Sequence, residues 1–237
     1  MRKVAFVVEG KTELIFIRKL IEYIVGTEEY LIELIKHTSD NQMIEIIDVR
    51  TNAAPNAAKH KIQIIWAGND DRVLSYISNR IESFRKSNFD AVFGLRDLFN
   101  PGKYSKPPDL DFTNSKTQEL AILHNIKVEL VVAHHEIETW FLAVLEFILR
   151  IDPTLTKDEI NTIAKCDLFN CNIEEIEKPA KLLNIILGNV GGYDKSEGLV
   201  ERITSLLDLE EIYLNKRNEV IHLGKTINQI DYALSCN

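Results

Sequence analysis

The chain has 237 residues, of which 45% are hydrophobic and 27% charged, so its composition excludes disorder throughout and suffices for one large or two small domains. Its 36 acidic residues outnumber the 28 basic ones, and the formal net charge of -8 disfavours sequence-independent coating of nucleic acid. No apolar run reaches the roughly 18 residues that a membrane span needs. We therefore expect a soluble cytoplasmic protein with no membrane contact.

Strand and helix patterns alternate over the first 150 residues. Apolar runs predict strands at residues 3–8, 61–66, 89–95 and 128–133, and two alternating segments within residues 30–50 predict a hairpin. Apolar residues at helical spacing predict helices at residues 14–24, 73–84, 114–124 and 136–149. Continuous apolar strands between helices are typical of a buried parallel sheet, so the fold class is α/β.

The strand signals stop after Asp152 and Pro153. The rest of the chain predicts helices at residues 155–165, 179–188, 195–207 and 209–223, followed by a short tail helix. We therefore place a domain boundary near residue 150. An α/β domain covers residues 1–150, and an all-helical region covers residues 151–237.

Acidic residues follow three of the predicted strands. They are Glu9 and Glu13 after the first strand, Asp97 after the strand at 89–95, and Glu136 and Glu138 after the strand at 128–133. The carboxyl ends of parallel strands share one edge of a sheet, where the ligand crevice lies. Gathered carboxylates repel each other, and a hard divalent cation, Mg²⁺ or Mn²⁺, would neutralise them.

A structural alternative exists for each of these acids, since carboxylates in the first turn of a helix stabilise its dipole. Glu136 and Glu138 would share a side on extended backbone but diverge on a regular helix. They can act together only if the helix begins after them.

Several segments resemble a known family. The opening VAFVVEGKTE resembles the first strand and turn of TOPRIM domains, especially the EG-x-(S/T)-E form of the overcoming-lysogenization-defect (OLD) nucleases. FGLRDLFNP, VVAHHEIETWFLA and IEKPAKLLNIIL with YDKS resemble a TOPRIM-like family of uncharacterised bacterial proteins often associated with phage defence. The resemblance covers residues 3 to about 207, with HEIETWFL as its most specific part. It implies a Rossmann-like, mostly parallel sheet flanked by helices.

The resemblance also implies an activity, namely metal-dependent hydrolysis of phosphodiester bonds in DNA or RNA. Glu9, Glu13, Asp97, Glu136 and Glu138 would hold two Mg²⁺ or Mn²⁺ ions, Glu9 would also transfer a proton, and Lys195 would offset phosphate charge. The sequence departs from the TOPRIM pattern at one point, because Asp97 is not followed by a second aspartate two residues later. Either Glu136 and Glu138 replace that ligand or metal binding is weakened.

Two other functions are open on the sequence. Arg217 and His222 match the RNxxxH pattern of the HEPN ribonucleases, in which an arginine holds phosphate and a histidine moves protons without metal. This spacing on a helix also arises by chance. The chain could also be a non-catalytic TOPRIM-like module that binds a nucleotide or a partner protein of a defence system. The oligomeric state is not indicated.

The three cysteines, Cys166, Cys171 and Cys236, show neither disulfide nor zinc-site spacing. We expect replacement of all three by serine to leave thermal stability and activity largely unchanged. Thermal unfolding of the triple variant tests this expectation. A disulfide that persists under cytosolic redox conditions would contradict it.

Overall fold

The computed structural model describes residues 1–37, 44–54, 57–68, 70–97, 109–133 and 135–235, and the chain forms two compact units. Among these residues, the first unit contains 1–96, 109–132 and the residues from Thr226 on. The second unit contains Asp97 and Ala133–Lys225. The domain boundary predicted near residue 150 falls inside the second unit. Cys236 lies outside the described residues, while Cys166 and Cys171 are free and exposed.

The first unit is built on one sheet. Its strands are β1 (Arg2–Val8), β2 (Tyr30–His37), β3 (Ile44–Thr51), β4 (His60–Trp66), β5 (Ala91–Asp97) and β6 (Lys127–Ala133), in the order β3-β2-β4-β1-β5-β6. Strand β1 pairs in parallel with β4 and β5, β2 pairs in parallel with β4, and β2 and β3 form the predicted antiparallel hairpin. The predicted mostly parallel α/β sheet is therefore confirmed.

Helices cover this sheet because both faces of its central strands are apolar. They are α1 (Lys11–Val25), α2 (Asp70–Lys86) and α3 (Leu110–His124). Ala5 and Val7 of β1 pack in one cluster with apolar side chains of α2. On the other face, Phe6 contacts Phe93 with ring centroids 5.4 Å apart, and Phe93 contacts Tyr232 near the carboxyl end of the chain. Successive side chains of a strand point to opposite faces of the sheet, and both faces of β1 are buried, so its apolar run is unbroken.

The second unit is helical. Its helices are α4 (Glu138–Leu142), α5 (Glu146–Ile151), α6 (Lys157–Ala164), α7 (Pro179–Ile186), α8 (Glu197–Leu206), α9 (Leu209–Glu211), α10 (Arg217–Glu219) and the start of α11 (Ile221–Leu234). None of the helices in the described ranges is long and apolar enough to cross a membrane.

Two predicted helices are wrong in extent. The helix predicted at 136–149 is two short helices, because the residues from 137 to 142 are all buried and a continuous helix presents only a stripe to a core. The helix predicted at 209–223 breaks at Val220, whose φ of -106° and ψ of 101° are extended. A π-helical turn at Ile212–Lys216 precedes the break. The tail helix α11 then begins at Ile221.

Gly94 in β5 lies where neighbouring elements approach closely. A Cβ atom there would be 3.0 Å from Cδ1 of Ile77 in α2 and 3.0 Å from Cδ1 of Leu130 in β6. We expect Gly94→Ala to lower the free energy of unfolding by about 1–3 kcal/mol, because this core has no room for the methyl group. Chemical denaturation measures the change.

Gly198→Ala is the matched control, because a Cβ atom at Gly198 in α8 would meet nothing within 4 Å. Alanine is favoured over glycine in a helix by about 1 kcal/mol, so this variant should gain stability. Equal stability of Gly94→Ala and the unchanged chain would contradict the packing argument.

Candidate functional site

Glu136 and Glu138 lie just beyond β6, where the chain turns into α4. Helix α4 begins at Glu138, so Glu136 precedes the helix and Glu138 is its first residue. Glu138 is completely buried, while the side chain of Glu136 is 16% exposed. The condition that the helix begin after both glutamates is therefore met for Glu136 alone, although the two residues are not held on one regular helix.

Lys195 bridges these two glutamates. Its Nζ lies 3.2 Å from Oε1 of Glu136 and 3.2 Å from Oε1 of Glu138. The lysine side chain is 42% exposed, so the cluster is accessible to solvent on the lysine side. The structure therefore brings together three of the predicted site residues. Lys195 is more than 50 positions away from both glutamates in the sequence.

Tyr193 is the fourth member of this cluster, and sequence reasoning assigned it no role. Its hydroxyl donates a hydrogen bond of 2.7 Å to Oε1 of Glu138, and its backbone N–H donates to Oδ1 of Asn184. Glu138 Oε2, by contrast, has no hydrogen-bond partner within the described parts of the chain. A buried carboxylate oxygen without a partner is energetically unfavourable and marks a position that a donor or cation would satisfy.

Glu136 makes a second contact on its other oxygen. The backbone N–H of Ala180 in the first turn of α7 donates to Oε2 of Glu136 over 3.3 Å. The carboxylate thus stabilises the positive end of this helix dipole. The structural alternative, in which these acids stabilise a helix dipole, therefore applies to Glu136. The helix concerned is α7 and not α4, which follows Glu136 in the chain.

Burial raises the pKa of Glu138, and repulsion from Glu136 raises it further. The ammonium group of Lys195 and the hydrogen bond from Tyr193 act in the opposite direction. Desolvation is therefore the largest cause of the raised pKa of Glu138, and repulsion between the two acids is a smaller one.

The backbone is strained on both sides of the cluster. His135 has φ of 63° and Lys195 has φ of 56°, in the left-handed region that non-glycine residues rarely occupy. Asn125 and Lys165 share this conformation but end helices, where it is ordinary. Lys195 instead lies just before a helix, and its side chain contacts both glutamates. Strain of this kind persists only where surrounding structure fixes it, often at functional sites.

The other predicted site residues lie at the end of a strand or shortly after it. Glu9 follows β1, and Glu13 is nearly buried in the first turn of α1. Oε2 of Glu13 would lie 2.9 Å from a Cβ atom at Gly10, so Glu13 folds back over the turn and the glycine leaves room for it. Asp97 is buried and is the last residue of β5, where the prediction had placed it two residues after the strand.

The donor atoms fit a hard divalent cation in part. Within the described ranges, no group of three or more acidic, histidine or cysteine side chains could hold a metal ion. Mg²⁺, however, is commonly held by one or two carboxylates and completes its shell with water and substrate phosphate. Glu136 and Glu138 provide that number of carboxylates, and Oε2 of Glu138 has no hydrogen-bond partner among the described residues. The two-ion, five-carboxylate arrangement stays a prediction.

The RNxxxH motif straddles the break at Val220. Arg217 lies in α10 with its guanidinium 5.0 Å from the ring centre of Tyr213. His222 lies in α11, and its Nδ1 is 2.8 Å from Oε1 of Glu174. The carboxylate of Glu174 also accepts the backbone N–H groups of Ile221 and His222 and so caps α11. Arg217 and His222 thus belong to different helices.

Comparisons with known proteins add little. No protein-family model matches the chain, and no curated protein is similar to it. The chain is similar to the crystal structure of a hypothetical protein from Pyrococcus horikoshii OT3, with 16% identity over 99% of this chain and 100% of that one. The TM-score of 0.49 is too low for this likeness to support an argument about function.

The raised pKa of Glu138 makes stability depend on pH. The unfolded chain loses this proton near its ordinary pKa of 4.5, while the native chain keeps it to higher pH. Stability therefore falls as pH rises through this window, because the native state binds more protons than the unfolded state. Glu138→Gln removes the effect, so its melting temperature relative to the unchanged chain should increase from about pH 4 to about pH 7.

Calorimetry across this range provides the test. Glu119→Gln is the control, since Glu119 is 60% exposed and pairs with Lys116 at the surface. The difference in melting temperature between Glu119→Gln and the unchanged chain should change little with pH. A Glu138→Gln advantage that shrinks as pH rises would contradict the raised pKa.

Proposed function

We propose that this chain hydrolyses phosphodiester bonds of nucleic acid at a centre formed by Glu136, Glu138 and Lys195, with Mg²⁺ or Mn²⁺ as its activating ion. One observation carries the proposal. Nζ of Lys195 lies 3.2 Å from a carboxylate oxygen of each of two glutamates that are distant from it in sequence, and Oε2 of the buried glutamate has no hydrogen-bond partner among the described residues. An unpaired buried acceptor destabilises the fold, so a cation bound at that oxygen would relieve the cost.

Each residue has a distinct part in this proposal. Glu136 and Glu138 would hold the cation, which when bound supplies Lewis-acid stabilisation of the phosphate and lowers the pKa of water. Lys195, the most exposed member, offsets phosphate charge, while the Tyr193 hydroxyl fixes the orientation of the Glu138 carboxylate. Glu9 remains the candidate for proton transfer, and Glu9, Glu13 and Asp97 remain candidate ligands, on the TOPRIM resemblance.

The resemblance of HEIETWFL also supports the biological setting that we propose. The enzyme would act in the cytoplasm, in phage defence and with a partner protein of that system. This part of the proposal depends on the family resemblance and not on the contacts around Lys195.

The test is a cleavage assay on single-stranded and duplex DNA and RNA with Mg²⁺, with Mn²⁺ and with EDTA. We expect cleavage with either metal and none in EDTA. Glu138→Gln and Lys195→Met should each lower the rate by about a hundredfold, the effect of removing one electrostatic group from a reaction centre. Both variants should remain folded, as judged by circular dichroism.

Lys116→Met is the matched control, because Lys116 belongs to the first unit and forms a surface ion pair with Glu119 there. Its cleavage rate should equal that of the unchanged chain. Cleavage of RNA that persists in EDTA and disappears in His222→Ala would contradict the proposal and favour the HEPN-like alternative. Absence of cleavage under all conditions would favour a non-catalytic binding module.

A further inference from the structure

A cleft of about 590 Å³ opens in the first unit beside α2. Most of its lining comes from one face of this helix, where polar residues recur at the spacing of successive turns. The polar and aromatic lining residues are His37, Arg72, Ser75, Tyr76, Asn79 and Arg80. The volume lies within the roughly 300–1,000 Å³ typical of small-molecule sites.

The cleft lies at the carboxyl ends of two parallel strands. His37 is the last residue of β2, and Ala67, which also lines the cleft, directly follows β4. The preceding residues, Lys36 and Trp66, are partners in the β2–β4 ladder, so the two strands end side by side. Crevices at such strand ends are where open α/β sheets bind ligands.

The lining of the cleft is positively charged in a chain of net charge -8. Arg72 and Arg80 contribute guanidinium groups, and no acidic residue is among the described side chains that line the cleft. Arg72 is exposed, and it has no ion-pair partner among the side chains that the structure describes. Two guanidinium groups without a lining carboxylate favour an anionic ligand, and their planar forks match phosphate oxygens.

Neutral and aromatic groups complete the lining. Burial lowers the pKa of His37, and the nearby Arg80 and Arg72 lower it further, so the imidazole is neutral near pH 7. The His37 ring meets Tyr76 edge-on with centroids 5.2 Å apart, and the Arg80 guanidinium lies 6.0 Å from the centre of the Tyr76 ring. Cations bind phosphate, and aromatic rings stack on planar groups. This lining therefore matches a ligand in which a phosphate lies beside a planar group.

We propose that this cleft binds the phosphate of a nucleotide, either free or within single-stranded nucleic acid, through Arg72 and Arg80. Ser75, Asn79 and the neutral His37 supply hydrogen bonds beside the two cations. Only the use of nucleic acid as a probe rests on the proposed function. Phosphate binding in the cleft does not require that the chain cleave anything.

The experiment measures binding of a fluorescein-labelled single-stranded oligothymidylate to the full chain in EDTA, by fluorescence anisotropy. AMP and inorganic phosphate serve as competitors. We expect Arg72→Gln and Arg80→Gln each to weaken binding about tenfold, the effect of one lost charge-assisted hydrogen bond. The slope of log Kd against log salt concentration should fall by about 0.7 per arginine.

Arg85→Gln is the matched control, because Arg85 also lies on α2 but pairs with Glu82 outside the cleft. Displacement by AMP identifies a free nucleotide as the ligand, whereas displacement by unlabelled oligonucleotide alone identifies nucleic acid. Either result supports the cleft. Absence of binding by the unchanged chain, normal binding by both cleft variants, or an equal loss in Arg85→Gln would overturn the proposal.

Arg72→Gln keeps the test valid if Arg80→Gln unfolds, since Arg72 is exposed and its loss leaves no buried gap. The slope of log Kd against log salt concentration for Arg72→Gln then tests the proposal alone. A slope equal to that of the unchanged chain overturns the proposal. Because EDTA prevents metal-dependent cleavage, the assay reports on the cleft separately. If the chain binds the oligonucleotide but does not cleave nucleic acid, the proposed function is refuted and phosphate binding in the cleft is still supported.

Discussion

A carboxylate without solvent exposure must be compensated by protein groups, and Glu138 imposes this constraint on the second unit. A buried acceptor that is left without a partner typically destabilises a protein by about 1–3 kcal/mol. The segment that carries Tyr193 and Lys195 must therefore reach Glu138, even though Lys195 takes a left-handed backbone conformation to do so. The anchoring of Tyr193 by Asn184 extends the same constraint into helix α7.

Local charge differs from global charge in both units of this acidic chain. Lys195 lies between two glutamates, while Arg72 and Arg80 line a cleft without a described acidic side chain. Screening limits electrostatic interactions to about 8 Å at physiological ionic strength, so a ligand responds chiefly to the nearest groups. A net charge of -8 is therefore compatible with phosphate recognition at particular sites, although it disfavours uniform coating of nucleic acid.

The sequence predicted the sheet well, because unbroken apolar runs and the hairpin alternation report burial directly. It overestimated the helix at 136–149, where consecutive buried residues cannot all face the core from one helix, and it missed the break at Val220. The joint position of Glu136, Glu138 and Lys195 was accessible through a family resemblance. Tyr193 was not assigned, although it stands in the same YDK segment, because a tyrosine hydroxyl reveals its partner only through tertiary contacts.

The account depends most directly on the coupling between Glu138 and Lys195. A double-mutant cycle measures it from the unfolding free energies of the unchanged chain, Glu138→Gln, Lys195→Met and the double variant. The account predicts a coupling energy of about 1–3 kcal/mol, because Lys195→Met leaves the buried Glu138 carboxylate without its cation. Additive effects within about 0.5 kcal/mol would show that the two side chains do not interact and would contradict the account.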